Sequence, residues 1–165
     1  NRFYFVHPDG AVQHYDKKHL FTFGGEHKRF TAGTERVVVN FRGVRILLEV
    51  CYDLRFPVWS RNLGDYDMIL YVASWPTPRV DAWSALLRAR AIENQCYVAG
   101  VNRMGTDPAC EYSGGSAIID PYGKTIAECP WGRESAVSAG IDMEALQAFR
   151  KKFPVLDDAD PFTLI

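Results

Sequence analysis

The sequence predicts a mixed α/β layered fold, and three observations predict it. Short apolar runs recur along the chain with turn residues between them. Only two or three stretches carry helical spacing, so strands alternate with few helices and several hairpins. Those helices are too few to cover every strand face, so one sheet is expected to pack on another.

Each element has its own signal. "RFYFV", the Pro-Asp-Gly turn and "AVQHY" read as a hairpin. "ERVVVNFRGVRILLEV" reads as two further strands bent at Arg42-Gly43, and "YDMILYVAS" as a strand buried on both faces. In "RVDAWSALLRARAIENQ", Val80, Trp83, Leu86, Leu87 and Ala91 recur at helical spacing, which predicts an amphipathic helix. "CYVAGVN", "GGSAIIDPYGKTIAE" and "SAVSAGID" read as more strands, the second folded at Pro-Tyr-Gly. Asp142 is placed to cap a helix over "MEALQAFRKKF".

Composition bounds the function. The chain has 165 residues and is 47% hydrophobic, which suits one compact domain. A net charge of −1 with scattered basic residues excludes the electrostatic footprint of a nucleic-acid or anionic-lipid binder. No stretch reaches the ~18 apolar residues of a membrane span. The four cysteines contain no CxxC, so neither a disulfide scaffold nor a metal site is expected, and reduced thiols in the cytoplasm are. The opening "NRFYFV" starts inside a strand without Met, which predicts the later portion of a longer domain.

Chemistry concentrates in "LLEVCYDLRFP". An apolar strand runs up to Cys51 and stops at a polar turn, with Pro57 suited to the first turn of a helix. Such a strand–turn–helix exposes a nucleophile and frees the next backbone N–H for an oxyanion. On local pattern alone, a small buried cysteine is the commoner case. A thiolate needs a nearby cation or base, and "HYDKKHLF" supplies lysines and His19. Lys17 and His19 share a face if the strand continues, while a solvated lysine pair is the plainer reading. Glu26 follows two glycines that permit a tight bend, though a surface acid fits too. Alternation puts Glu49 on the same strand face as the sulfur, but a structural pairing with Arg45 or Arg55 is the preferred reading. Trp75 beside Pro76 ends a strand where a pocket wall is expected, and a Trp packed under its own loop fits equally well. "GGS" at 114–116 lacks the lysine and helix of a phosphate loop.

Together, "YDKKHLF", "CYDLRFP" and "RARAIENQCYVAGVNR" resemble the nitrilase (carbon–nitrogen hydrolase) superfamily, in wording nearest its bacterial omega-amidase branch. The resemblance implies a four-layer αββα sandwich in which residues 1–165 are the C-terminal portion of a single hydrolase domain. It implies Cys51 as nucleophile, Lys17 as the family's lysine and Glu26 as its supporting glutamate, with His19 structural. The family's general-base glutamate lies upstream of the lysine, and no residue before Lys17 is a glutamate. The implied reaction hydrolyses a small-molecule linear amide with no cofactor and no metal, in a homodimer or larger assembly. Tyr52, through its backbone N–H, Trp75 and Arg55 are the expected substrate contacts; an anionic tail calls for an arginine, with Arg55 and Arg79 as candidates that no motif assigns. Three alternatives stay open: an N-carbamoyl-amine amidohydrolase or nitrilase with the same core residues, a Cys–His hydrolase using His19 or His27, and a catalytically dead interaction subunit.

Overall fold

The computed structural model describes residues 1 to 163. Strand β1 (Arg2–Val6) and strand β2 (Val12–Asp16) pair antiparallel across the Pro-Asp-Gly turn, as expected. The chain then loops through two short 3-10 turns into β3 (Val38–Phe41) and β4 (Val44–Val50), an antiparallel pair. A 3-10 turn over Cys51–Arg55 leads to the one-turn helix α1 (Pro57–Ser60), which carries Pro57 at its start. Strand β5 (Met68–Ala73), helix α2 (Val80–Glu93) and strand β6 (Tyr97–Asn102) follow, and β4, β5 and β6 run parallel to one another. Strands β7 (Met104–Thr106) and β8 (Glu111–Ser113) form a separate hairpin that the sequence reading did not anticipate. Strands β9 (Ala117–Ile119) and β10 (Thr125–Glu128) then complete a six-stranded sheet of order β10-β9-β6-β5-β4-β3.

This sheet has two covered faces, and so two apolar clusters. On one face α2 packs Trp83, Leu87 and Ala91 against Leu47, Ile69 and Val98. Its fit is close: a Cβ at Gly100 would lie 2.6 Å from a Leu87 methyl and 2.7 Å from the Trp83 ring, so the helix approaches β6 only because that side chain is absent. On the other face Phe3 and Tyr15 of the hairpin pack with Ile46, Leu48 and Val50. The order of α2, sheet and hairpin is the αββ part of the expected sandwich, and it confirms the sheet-on-sheet packing.

Helix α3 (Met143–Lys152) starts at Asp142, whose side chain accepts the Ala145 N–H at 2.9 Å, the expected cap. Its Leu146 joins the hairpin-side cluster. Arg150 ties the helix to the start of β5 by bonds to Asp67 Oδ1 at 2.8 Å and the Tyr66 carbonyl at 3.0 Å. One expected strand does not form. Residues 135–142 adopt no ladder, because "SAVSAGID" finds no neighbouring strand to exchange hydrogen bonds with and most of it faces solvent. No helix among the described residues is long and apolar enough to cross a membrane.

Candidate active site

The parallel strands β4 and β5 end at one lip of the sheet, where their side chains open into a cavity of about 750 Å³. This is the position at which α/β sheets bind ligands. Cys51 sits there because β4 stops one residue earlier. Its backbone is left-handed (φ 50°), a conformation that a side chain other than glycine's adopts only at a cost of about 1–3 kcal/mol, when its surroundings enforce it. The half-buried thiol donates to the Ser74 carbonyl at 3.8 Å. Burial pushes the Cys51 thiol up from its ordinary value; the Lys17 ammonium pulls it down, and the nearby Glu26 and Asp53 carboxylates oppose that pull.

Lys17 reaches the same cavity from just past the end of β2. The strand does not continue to His19, so alternation does not put the two on one face. Lys17 is only 3% exposed, and its Nζ bonds Glu26 Oε2 at 2.6 Å. Glu26 follows Gly25, whose left-handed φ of 74° makes the tight bend the glycine pair predicts. Glu26 also accepts the Phe21 N–H at 2.6 Å and the Asn1 amide at 2.7 Å. Burial works against its charge, but these donors, led by Lys17, outweigh it and hold the carboxyl below the usual glutamate range.

The enforcing group at Cys51 is Asp53, which the sequence reading passed over. Fully buried, it accepts the Val50 N–H at 3.0 Å, the Tyr15 hydroxyl at 2.9 Å, and both the backbone N–H and Nδ1 of His19 at 2.9 Å. One carboxylate therefore ties the turn around Cys51 to the segment that carries Lys17. His19 is held by Asp53 and stacked on Phe56 at 3.8 Å, and it does not line the cavity, which fits structural support. His27 does not line it either. A second group the sequence did not reveal is Asn102, whose side-chain oxygen accepts the Trp75 N–H at 2.7 Å while its amide donates to the Trp75 and Gly114 carbonyls. Asn102 thus fixes the Trp75 wall of the cavity.

Tyr52, Trp75, Arg55 and Arg79 all line the cavity. Trp75 is buried, with its indole N–H on the Arg79 carbonyl at 2.7 Å, and the Arg55 guanidinium lies 5.0 Å over its ring. Glu49 does not line the cavity, and its expected partner is wrong. Arg45 bonds Asp67 instead, while Glu49 is buried beneath the turn with Ser60 Oγ donating to it at 2.9 Å. Strand alternation ends at Val50, so the Glu49 carboxyl and the sulfur part company. Among the described residues no group of three or more His, Cys, Asp or Glu side chains is placed to share a metal ion.

The carbon-nitrogen hydrolase family model matches residues 1–151. Omega-amidase YafV of Escherichia coli (strain K12) is 55% identical over 165 residues, covering 99% of this chain and 64% of that protein. The 2-oxoglutaramate amidase of Bacillus subtilis (strain 168) is 41% identical, covering 96% of this chain and 62% of the relative. The chain thus spans a little under two thirds of these curated relatives. Among solved structures, XC1258 of Xanthomonas campestris, a CN-hydrolase superfamily protein with an arsenic adduct in its active site, superposes with a TM-score of 0.96 and 48% identity. That match covers 99% of this chain and 65% of the other. Nit3 of Saccharomyces cerevisiae, from branch 10 of the nitrilase superfamily, gives 0.81 at 26% identity, covering 93% of this chain and 57% of that one. With the turn at Cys51, the Lys17–Glu26 pair and these matches in hand, the chain belongs to the carbon-nitrogen hydrolase family.

Proposed function

We propose that residues 1–165 are the C-terminal portion of an amidohydrolase domain that cleaves small linear amides through a Cys51 thioester. The substrates it is built for are ω-amides of dicarboxylates resembling 2-oxoglutaramate. The observation that carries this reading is Cys51, held left-handed at the end of β4 in a cavity shared with the buried Lys17–Glu26 pair. The names of the E. coli and B. subtilis relatives support the choice of amide.

The reaction divides into two halves. A base takes the thiol proton, and the Cys51 sulfur attacks the amide carbon to give a tetrahedral oxyanion. Lys17 and the Tyr52 backbone N–H stabilise that charge, and Glu26 keeps Lys17 charged and aimed. The C–N bond breaks, ammonia leaves with a proton returned by the base, and water then cleaves the thioester to release the acid and restore the thiol. The base is the family's upstream glutamate, which matches no residue before Lys17. Burial raises the Cys51 thiol, so Cys51 depends on that base and on the Lys17 charge for activation. Trp75 shapes the acyl side of the pocket, and Arg55 stands exposed at its rim. A cytoplasmic homodimer or larger assembly completes the reading, and four free thiols suit a reducing compartment.

The test is Cys51→Ala and Lys17→Met in the full-length enzyme, with hydrolysis followed by ammonia release. The first should abolish turnover while circular dichroism stays unchanged. The second should lower kcat by about 100-fold with little change in KM, as loss of one oxyanion donor does. Retention of more than about a tenth of the activity by Cys51→Ala would remove the covalent route.

A further inference from the structure

Four charged side chains line the cavity: Lys17, Glu26, Arg55 and Arg79. Its one carboxylate is already bonded to Lys17 at 2.6 Å. Among the described residues neither Arg55 nor Arg79 has an acidic partner within 4.0 Å. The cavity therefore offers two guanidinium groups without a counter-ion, beside a nucleophile whose own cation is matched. A concave, largely apolar site carrying that imbalance favours an anionic ligand.

The two arginines are not equivalent. Arg55 is exposed at the rim, over the Trp75 ring. Arg79 is half-buried, and its guanidinium lies 5.5 Å over the ring of Phe21. Phe21 donates its backbone N–H to Glu26, the carboxylate that also holds Lys17. On its other side the Arg79 carbonyl is fixed by the Trp75 indole N–H. The shelf under Arg79 is thus tied through one carboxylate to the ammonium beside Cys51. That arrangement fixes the distance between a reacting end and an anion-holding end. A partly desolvated, pre-organised guanidinium discriminates by charge, whereas an exposed one is screened by salt and acts mainly on encounter.

We propose that Arg79 is the specificity-determining residue of this pocket: it holds the carboxylate at the far end of the amide substrate, and Arg55 only steers that anion inward. The proposal rests on the amidohydrolase reading of the same cavity. It selects monoamides of short dicarboxylic acids over neutral amides of equal length.

The experiment compares glutaramate with pentanamide, which has the same chain length and no carboxylate, in the full-length enzyme. The readout is the ratio of kcat/KM for the two amides. Arg79→Gln should lower that ratio by about 30-fold, within the ~10–100-fold that one charged hydrogen-bonding partner contributes, through KM for glutaramate. Arg79→Lys should recover part of the loss, because charge returns without the planar fork. Arg55→Gln should lower the ratio by no more than about threefold and flatten its dependence on salt. Calorimetric titration of Cys51→Ala with glutaramate supplies a readout without turnover, and adding Arg79→Gln should weaken that binding by a similar factor. An unchanged ratio, with both amides falling together, would make Arg79 structural and overturn the proposal. So would a larger effect at Arg55, or an absence of glutaramate binding by Cys51→Ala. Hydrolysis that survives Cys51→Ala would instead overturn the covalent reading and leave Arg79 to be judged on binding alone.

Discussion

Two buried carboxylates flank Cys51, Glu49 two residues before it and Asp53 two residues after, and they live under opposite conditions. Asp53 faces the hairpin and collects hydrogen bonds from Val50, Tyr15 and the backbone N–H and Nδ1 of His19. Glu49 faces the α2 side and has one donor, Ser60 Oγ, while its Oε1 has no hydrogen-bond partner. Burial pushes the Glu49 carboxyl up to about 8, helped by the Asp53 charge nearby. A single segment thus holds a saturated acid that builds the site and an unsaturated one that avoids charge at neutral pH. Position along the chain does not separate them. The donors that other elements bring do.

The comparison breaks first at Asp53. Asp53→Asn would place an amide N–H₂ where donors already converge, leaving buried groups facing one another. The expected loss is about 3–5 kcal/mol, read as a lower denaturant midpoint at unchanged m-value, together with collapse of kcat. A stable, active Asp53→Asn enzyme would show that the left-handed turn at Cys51 does not need it.

Glu49→Gln sharpens the other side. The folded carboxyl titrates near 8 and the unfolded one at about 4.3, so the native state holds an extra proton between those values. Its stabilising contribution is full below the unfolded value and is lost as pH rises towards 8, by up to about 1.4 kcal/mol per pH unit. Wild type should therefore lose on the order of 3–4 kcal/mol relative to Glu49→Gln between pH 5 and pH 8. Parallel stability curves for the two proteins would mean that Glu49 carries its charge in the fold.

Much of this molecule was legible because its signals are local. The Pro-Asp-Gly turn, Pro57 after the Cys51 turn and Asp142 before "MEALQAF" each act within a few residues, and each holds in the structure. The apolar run into Cys51 marked the cavity lip for the same reason. Glu49 defeated the reading because its donor Ser60 arrives from α1, and the strand alternation that would aim it ends one residue later. Asp53 and Asn102 were unmarked because their partners come from β2 and from the loop after β5. The only sequence trace of either is a polar residue standing where an apolar run stops. The β7–β8 hairpin has strands of three residues each, too short for alternation to register. The failed strand at residues 135–142 shows the converse, an apolar pattern with no neighbour to pair with.

The mildest prediction uses a third carboxylate to isolate what burial contributes. Asp142, like Glu49, receives one side-chain hydrogen bond, here from the Ala145 N–H, but it is exposed at the start of α3. Water can satisfy its remaining lone pairs, so nothing resembling the Glu49 penalty arises. Asp142→Ala should cost about 1 kcal/mol, the ordinary value of a lost N-cap, and Asp142→Asn should cost only a few tenths, because the amide oxygen still accepts the same N–H. Thermal unfolding of the two variants at one pH measures both. If Asp142→Asn instead cost as much as Asp142→Ala, the charge rather than the hydrogen bond would anchor α3. Donor count would then fail, even at an exposed site, as the quantity that ranks these carboxylates.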